Sequence, residues 1–250
     1  MKTAYFLTAL FLVGAFSISN AQSLKTAEEY NNRGLEKQGR GDIDGAIADY
    51  TSAVSLKAKA GTLATAYNNR GNARKAKGDG EGAIADYSKA LEQNPKYAEA
   101  FYNRGVAFQG KENFDAAIKD YSSALELAPK FTDAYVNRGQ AKQRLRDFDG
   151  AIADYNAALQ LKSDDAGTYF ARATAREAKD DLNGALADYS KTIELDPNSA
   201  QAYANRAAIE TLQGKGAQAD QDFEKAFKID PSLKAQFKEF LEKRRRAKSP

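Results

Sequence analysis

Arginine and aspartate recur together along this 250-residue chain. Arg33, Arg70, Arg104, Arg138, Arg172 and Arg206 are followed, each sixteen residues later, by Asp49, Asp86, Asp120, Asp154, Asp188 and Asp222. Opposite charges held in one register are what partly buried groups require, since a charge taken out of water needs a partner. The spacing predicts a guanidinium–carboxylate bridge repeated six times, with each arginine stem packed against apolar neighbours. The competing reading is six solvated charges, each worth about 0–1 kcal/mol.

Other chemistry is excluded by composition. The chain has no histidine and no cysteine, which removes thiolate nucleophiles, disulfides, imidazole bases and the two commonest zinc ligands. No glycine-rich phosphate loop and no isolated carboxylate pair is present, and the acids that recur do so once per period, a structural schedule rather than a site. We therefore expect no catalytic residue, no metal and no cofactor. Asparagine also recurs, at Asn32, Asn69, Asn103, Asn137 and Asn205. Primary amides donate and accept, so such a row suits the backbone of an extended peptide. It suits equally the support of its own helices, and both readings stand.

The elements that position these residues are set by a repeat. Tyr30-Asn31-Asn32-Arg33-Gly34 returns as Tyr67-Asn68-Asn69-Arg70-Gly71 and echoes at Phe101, Tyr135, Tyr169 and Tyr203. From Tyr67 onward the period is 34 residues; the first interval is 37, with three extra residues near Ala60-Gly61-Thr62. Sixteen residues after each aromatic stands Ala46, Ala83, Ala117, Ala151, Ala185 or Ala219. Four further on come Tyr50, Tyr87, Tyr121, Tyr155, Tyr189 and Phe223, and Pro95, Pro129, Pro197 and Pro231 close four units. Ala83, Ile84, Tyr87, Ala90 and Leu91 make an apolar stripe at helical period. Each unit thus reads as two short helices broken by a polar turn such as Gly78-Asp79, with proline ending the second. Gly71 and Gly105 are expected to face Ala83 and Ala117, where two helix axes approach closely. One hairpin cannot bury such a stripe alone, so units must stack.

These residues resemble the tetratricopeptide repeat: an aromatic, a large residue before glycine, then alanine, aromatic, alanine and proline at fixed offsets. The resemblance covers residues 27–233 in six units (27–63, 64–97, 98–131, 132–165, 166–199, 200–233), with arginine where the family usually has leucine before the glycine. It implies an all-α fold, a right-handed superhelical solenoid of antiparallel helix pairs whose first helices line a concave groove. It also implies a capping helix within 234–250, for which Leu233 to Arg246, carrying Phe237, Phe240 and Leu241, is the candidate. Groove-facing positions by resemblance lie one, two and five residues after each leading aromatic. Asn68, Asn72, Tyr102, Asn103, Asn137, Gln140, Phe170 and Asn205 are accordingly the expected partner-binding residues, with Tyr102 and Phe170 as apolar anchors. The implied partner is a protein or peptide. Family members that clamp a terminal carboxylate use lysine, asparagine and arginine on these faces; Asn68, Tyr102 and Asp133 here do not supply that clamp.

The N-terminus adds a location. Met1-Lys2, the apolar run Ala4 to Phe16, and Ser19-Asn20-Ala21 before Gln22 match the three parts of a secretory signal peptide. Residues 1–21 are expected to be removed and 22–26 to form a linker, giving a periplasmic or secreted chain with no transmembrane segment after cleavage. Without residues 1–21, which hold one lysine and no acid, the net charge is +2; without Lys243, Arg244, Arg245, Arg246 and Lys248 as well, it is −3. The body is thus not a basic face, and no nucleic-acid partner is expected there. The basic tail itself has two readings compatible with export: cations complementing a helix C-terminus, or an accessory contact with nucleic acid or an anionic surface. The function expected is a noncatalytic interaction scaffold.

Overall fold

A computed structural model of the chain describes residues 26–242. The described residues form six antiparallel helix pairs stacked in chain order. They are α1 (Ala27–Gly39) with α2 (Ile43–Ser55), α3 (Ala60–Ala76) with α4 (Gly80–Gln93), and α5 (Ala98–Gly110) with α6 (Phe114–Leu127). Then follow α7 (Thr132–Arg144) with α8 (Phe148–Leu161), α9 (Ala166–Ala178) with α10 (Leu182–Leu195), and α11 (Ala200–Leu212) with α12 (Gly216–Ile229). A short α13 (Leu233–Gln236) closes the stack. Besides its partner and its sequence neighbour, each of the early first helices touches its like in the next unit: α1 meets α3, α3 meets α5, α5 meets α7 and α7 meets α9. Helices that approach one another in this way lie on the inner side of the curve, so the first helices form the concave wall.

Local signals fix the hairpins. Asp42, Asp79, Asn113, Asp147 and Asp181 cap α2, α4, α6, α8 and α10, each side chain accepting from the N–H three residues on. Such a cap contributes about 1 kcal/mol. α12 starts from Lys215, which makes no side-chain cap bond. Between the helices of a pair the chain passes through a left-handed residue, Gly41, Gly78 and Gly214 in three units but Glu112, Arg146 and Asp180 in the others.

Tyr50, Tyr87, Tyr121, Tyr155 and Tyr189 are fully buried between the helices of their pairs. The sequence places Gly71 opposite Ala83, but the structure lays the Tyr87 ring over Gly71, where a Cβ would come within 2.6 Å of Cε1. Gly34, Gly105 and Gly139 meet Tyr50, Tyr121 and Tyr155 likewise, and Gly105 also faces Ala117 as expected, a Cβ there coming within 3.3 Å of the Ala117 carbonyl oxygen. The glycine makes room for a ring, and only secondarily for a close helix crossing.

Two expectations are revised. α3 opens at Ala60, a turn ahead of the unit boundary expected at 64, so the three extra residues extend a helix. The cap is not one continuous helix: α13 stops at Phe237, whose N–H returns to the Leu233 carbonyl, and helix resumes over 238–242. Phe237 and Phe240 still cover the stack end, with ring centroids 5.5 and 6.1 Å from Phe223. The expected signal peptide and the basic tail from Lys243 lie outside the described residues.

Candidate functional site

The Arg–Asp bridge is present in all six units and is bidentate in each. In the third unit Arg104 Nε donates to Asp120 Oδ2 at 2.7 Å and Nη2 to Oδ1 at 2.8 Å. Arg33–Asp49, Arg70–Asp86, Arg138–Asp154, Arg172–Asp188 and Arg206–Asp222 repeat the fork. Each guanidinium also lies 5.3–5.7 Å from the ring of its unit's leading aromatic, from Tyr30 to Tyr203. Its remaining nitrogen crosses to the preceding unit: Arg70 to Thr51, Arg104 to Ser88, Arg138 to Ser122, Arg172 to Asn156 and Arg206 to Ser190. One side chain thus fastens its own hairpin and the joint behind it, which suits a planar fork and not a lysine.

A second cation reinforces the bridge in four units, where Lys37, Arg74, Lys142 and Arg176 reach the same aspartate within 2.8–2.9 Å. Burial pushes the Asp49 carboxyl up, but the bonds from Arg33 and Lys37 outweigh it and hold the group below its ordinary range. In the third unit Phe108 replaces that cation, and in the sixth Glu210 does. Glu210 Oε2 is buried with no hydrogen-bond partner. Burial pushes the Glu210 carboxyl up, the Asp222 charge adds to this, and Arg206 and Lys215 only partly offset it.

The amides divide. Asn68 is 1% exposed and Asn103 8%, and Asn103 Nδ2 donates to Asn68 Oδ1 at 3.0 Å. Both face the joint between units and not a guest, so their assignment to the groove is corrected. Asn69 donates to Asn31 and Asn137 to the Tyr102 hydroxyl in the same inter-unit manner. Asn72 accepts from the buried Tyr87 hydroxyl at 2.8 Å, a duty performed in other units by Gln38, Gln109, Gln143 and Glu177. Lys75 stands in that place in the second unit and cannot accept, so Asn72 takes the role. Asn205 lies between Gln201 and the Tyr189 hydroxyl. Tyr102 is half-buried, 4.6 Å from the Phe131 ring, and burial pushes its hydroxyl up.

Gln140 is exposed and Phe170 partly so, and with Asn137 they line a hollow of about 690 Å³ on the inner wall. Its walls come from α5, α7 and α9, with Val106, Gln109, Phe114, Gln143 and Thr174 joining the residues expected from sequence. Its charged members, Glu112 and Arg144, bridge each other at 3.6 Å, and Arg144 also covers the Phe114 ring at 5.0 Å. The hollow therefore offers rings and neutral amides. Phe114 and Arg144 escape the sequence pattern because they begin α6 and end α7, outside the positions counted from the leading aromatic.

Stacked helix hairpins with a curved inner wall define a repeat solenoid of the protein-interaction class. Family models described as TPR repeat (residues 71–112) and tetratricopeptide repeat (98–131, 132–165 and 200–233) match the chain. The chain belongs to the tetratricopeptide repeat family. No curated protein matches it. Among solved structures it is similar to YrrB, described as a TPR protein with an unusual peptide-binding site: 25% identity, 73% of this chain and 92% of that one, TM-score 0.65. It is similar in fold to pilF of Pseudomonas aeruginosa (16% identity, 87% and 97% covered, TM-score 0.72) and to MamA (24%, 65% and 95%, TM-score 0.63). Repeats of this family serve as protein–protein interaction scaffolds and are generally noncatalytic.

Proposed function

We propose that this chain is an exported, noncatalytic scaffold that holds an uncharged segment of a partner polypeptide against the inner wall of units three to five. The observation that carries the reading is the hollow between α5, α7 and α9, where the partly exposed rings of Phe114 and Phe170 and the exposed Gln140 amide gather around charges that already neutralise each other. A charged guest side chain would lose water there without gaining a partner. An uncharged segment pairs its backbone with the exposed amide of Gln140 and buries apolar side chains on Phe170. The likeness to YrrB supports a peptide as the guest. Residues 1–21 support export, through the charged start, apolar run and small-residue site.

The test uses residues 22–250 as bait in envelope extract, compared with a Phe170→Ala/Gln140→Ala variant. Loss of the captured proteins from the variant, with an unchanged circular dichroism spectrum, is expected. Equal capture by both would refute the groove. Export is tested by N-terminal sequencing of the expressed full chain, which should begin at Gln22; an intact Met1 in the cytoplasm would refute it.

A further inference from the structure

α4 opens on Gly80, where α6 and α8 open on Phe114 and Phe148. Phe114 packs against the buried cluster of Ala117, Tyr121 and Ala141, beneath the Arg144 guanidinium. One unit earlier both groups are missing, since Gly110 stands where Arg144 stands a period later. A Cβ at Gly80 or at Gly110 would meet nothing within 4 Å. The two vacancies leave an open cleft of about 530 Å³, walled by Val106 and Ala107 and flanked by Lys75, Asp79, Glu81 and Lys111. Lys111 is already paired with Glu81 at 2.5 Å. Val106 and Gly110 also line the larger hollow, so the two adjoin along α5.

We propose that this cleft is a second anchor point and takes an aromatic side chain, a phenyl ring, from the same partner segment that occupies units three to five. The inference rests on the inner-wall reading above. The molecule supplies the template: in the next two units the chain fills this place with its own phenyl rings, Phe114 and Phe148. The apolar wall of Val106 and Ala107 replaces water around a ring. The flanking lysines provide cations near its face, as Arg144 does for Phe114. The rim carries two lysines, Lys75 and Lys111, against two carboxylates, Asp79 and Glu81, so its charge is balanced and favours neither a carboxylate nor an ammonium over an uncharged ring. Seating one side chain in each hollow makes the second contact intramolecular, so two weak anchors add up to useful affinity.

The test titrates N-acetylphenylalanine amide into residues 22–250 and follows backbone amide shifts. Saturable shifts at Gly78, Gly80, Val106, Ala107 and Gly110 are expected, with a dissociation constant on the order of 1 mM. N-acetylalanine amide should bind at least several-fold more weakly. Gly80→Phe fills the cleft from within, as at Phe114, and should abolish these shifts while the melting temperature holds or rises. Equal response to both probes, or shifts that survive in Gly80→Phe, overturn the proposal. Partner capture separates the two readings. Both Phe170→Ala and Gly80→Phe should lose it. Retention by Gly80→Phe overturns the cleft whatever Phe170→Ala does, and retention by Phe170→Ala alone overturns the inner-wall reading and with it the shared segment.

Discussion

Removing Arg104 is the sharpest probe of what holds the stack together. Asp120 is 4% exposed and Arg104 21%, and Phe108 stands where four other units carry a second cation, so Arg104→Ala leaves Asp120 buried without a counter-charge. Breaking such a pair from the arginine side costs about 3–5 kcal/mol. Asp120→Ala is milder, because Arg104 keeps its bond to Ser88, its aromatic neighbours and access to water; about 2 kcal/mol is expected. The double variant leaves no orphaned charge and should lose less than the sum of the singles, with a coupling of about 2–3 kcal/mol. Arg70→Ala is the control. Arg74 Nη1 still holds Asp86 at 2.8 Å, so its cost should fall below that of Arg104→Ala by about 1–2 kcal/mol. Urea unfolding followed by far-ultraviolet circular dichroism, at constant m-value, measures all four. Singles that add to within about 0.5 kcal/mol would refute the coupling, and equal losses for Arg70→Ala and Arg104→Ala would refute the reinforcing role of the second cation.

The sixth unit should respond to pH in the opposite sense from the first. Glu210 has its carboxyl raised in the folded chain, so its charge weakens the fold at neutral pH, and that penalty fades as pH falls toward the ordinary glutamate value of about 4.3. Glu210→Gln should raise the melting temperature at pH 7 by about 1–3 °C and narrow its gap to the parent chain by pH 5; a pH-independent gap would refute the assignment. Asp49, held below its ordinary range, stabilises above that range and loses its contribution only as pH falls through its folded value, so Asp49→Asn should flatten the acid limb of the same profile. Asp180 sits at φ 63°, a conformation glycine adopts without strain, and Asp180→Gly should stabilise by about 0.5–1 kcal/mol in the urea assay while Asp180→Val destabilises.

The hairpins and the Arg–Asp register are legible in the residues alone, because a period that holds through six units leaves little freedom in how helices pair. What the period could not separate was duty within a repeated position. Asn68 and Tyr102 stand in the same place, yet Asn68 is sealed in an inter-unit joint while Tyr102 stacks on Phe131. The second cation was readable in principle, as a basic residue four positions after the arginine in units one, two, four and five. So was the inter-unit tether: Thr51, Ser88, Ser122, Asn156 and Ser190 each follow the buried tyrosine, and Glu224 replaces them only in the unit with no arginine beyond it. The start of α3 was not readable, because three extra residues after Lys57-Ala58-Lys59 fit a loop as well as a helical turn. The break at Phe237 was hidden too, since Phe237 and Phe240 keep helical spacing on either side of it.

Stacking and binding therefore draw on different residues. The groups that recur in register, arginine, aspartate, tyrosine and the paired asparagines, have their hydrogen bonds directed to one another across hairpins and joints. A guest that competed for them would have to open the stack, at a cost of several kcal/mol per buried pair. What the inner wall can give away without loss lies where the period lapses: Gly80 and Gly110 where a ring and a guanidinium are missing, Gln140 with its exposed amide, Phe170 where other units carry asparagine, tyrosine, valine or alanine. Specificity in such a solenoid is set by irregularity, since a strictly periodic wall would hold a segment equally well in registers one repeat apart. Although α12 also opens on glycine, Gly216, the paired vacancy of Gly80 and Gly110 stands at a single joint between described units and fixes the register of whatever lies across it, which is why filling Gly80 with phenylalanine tests recognition.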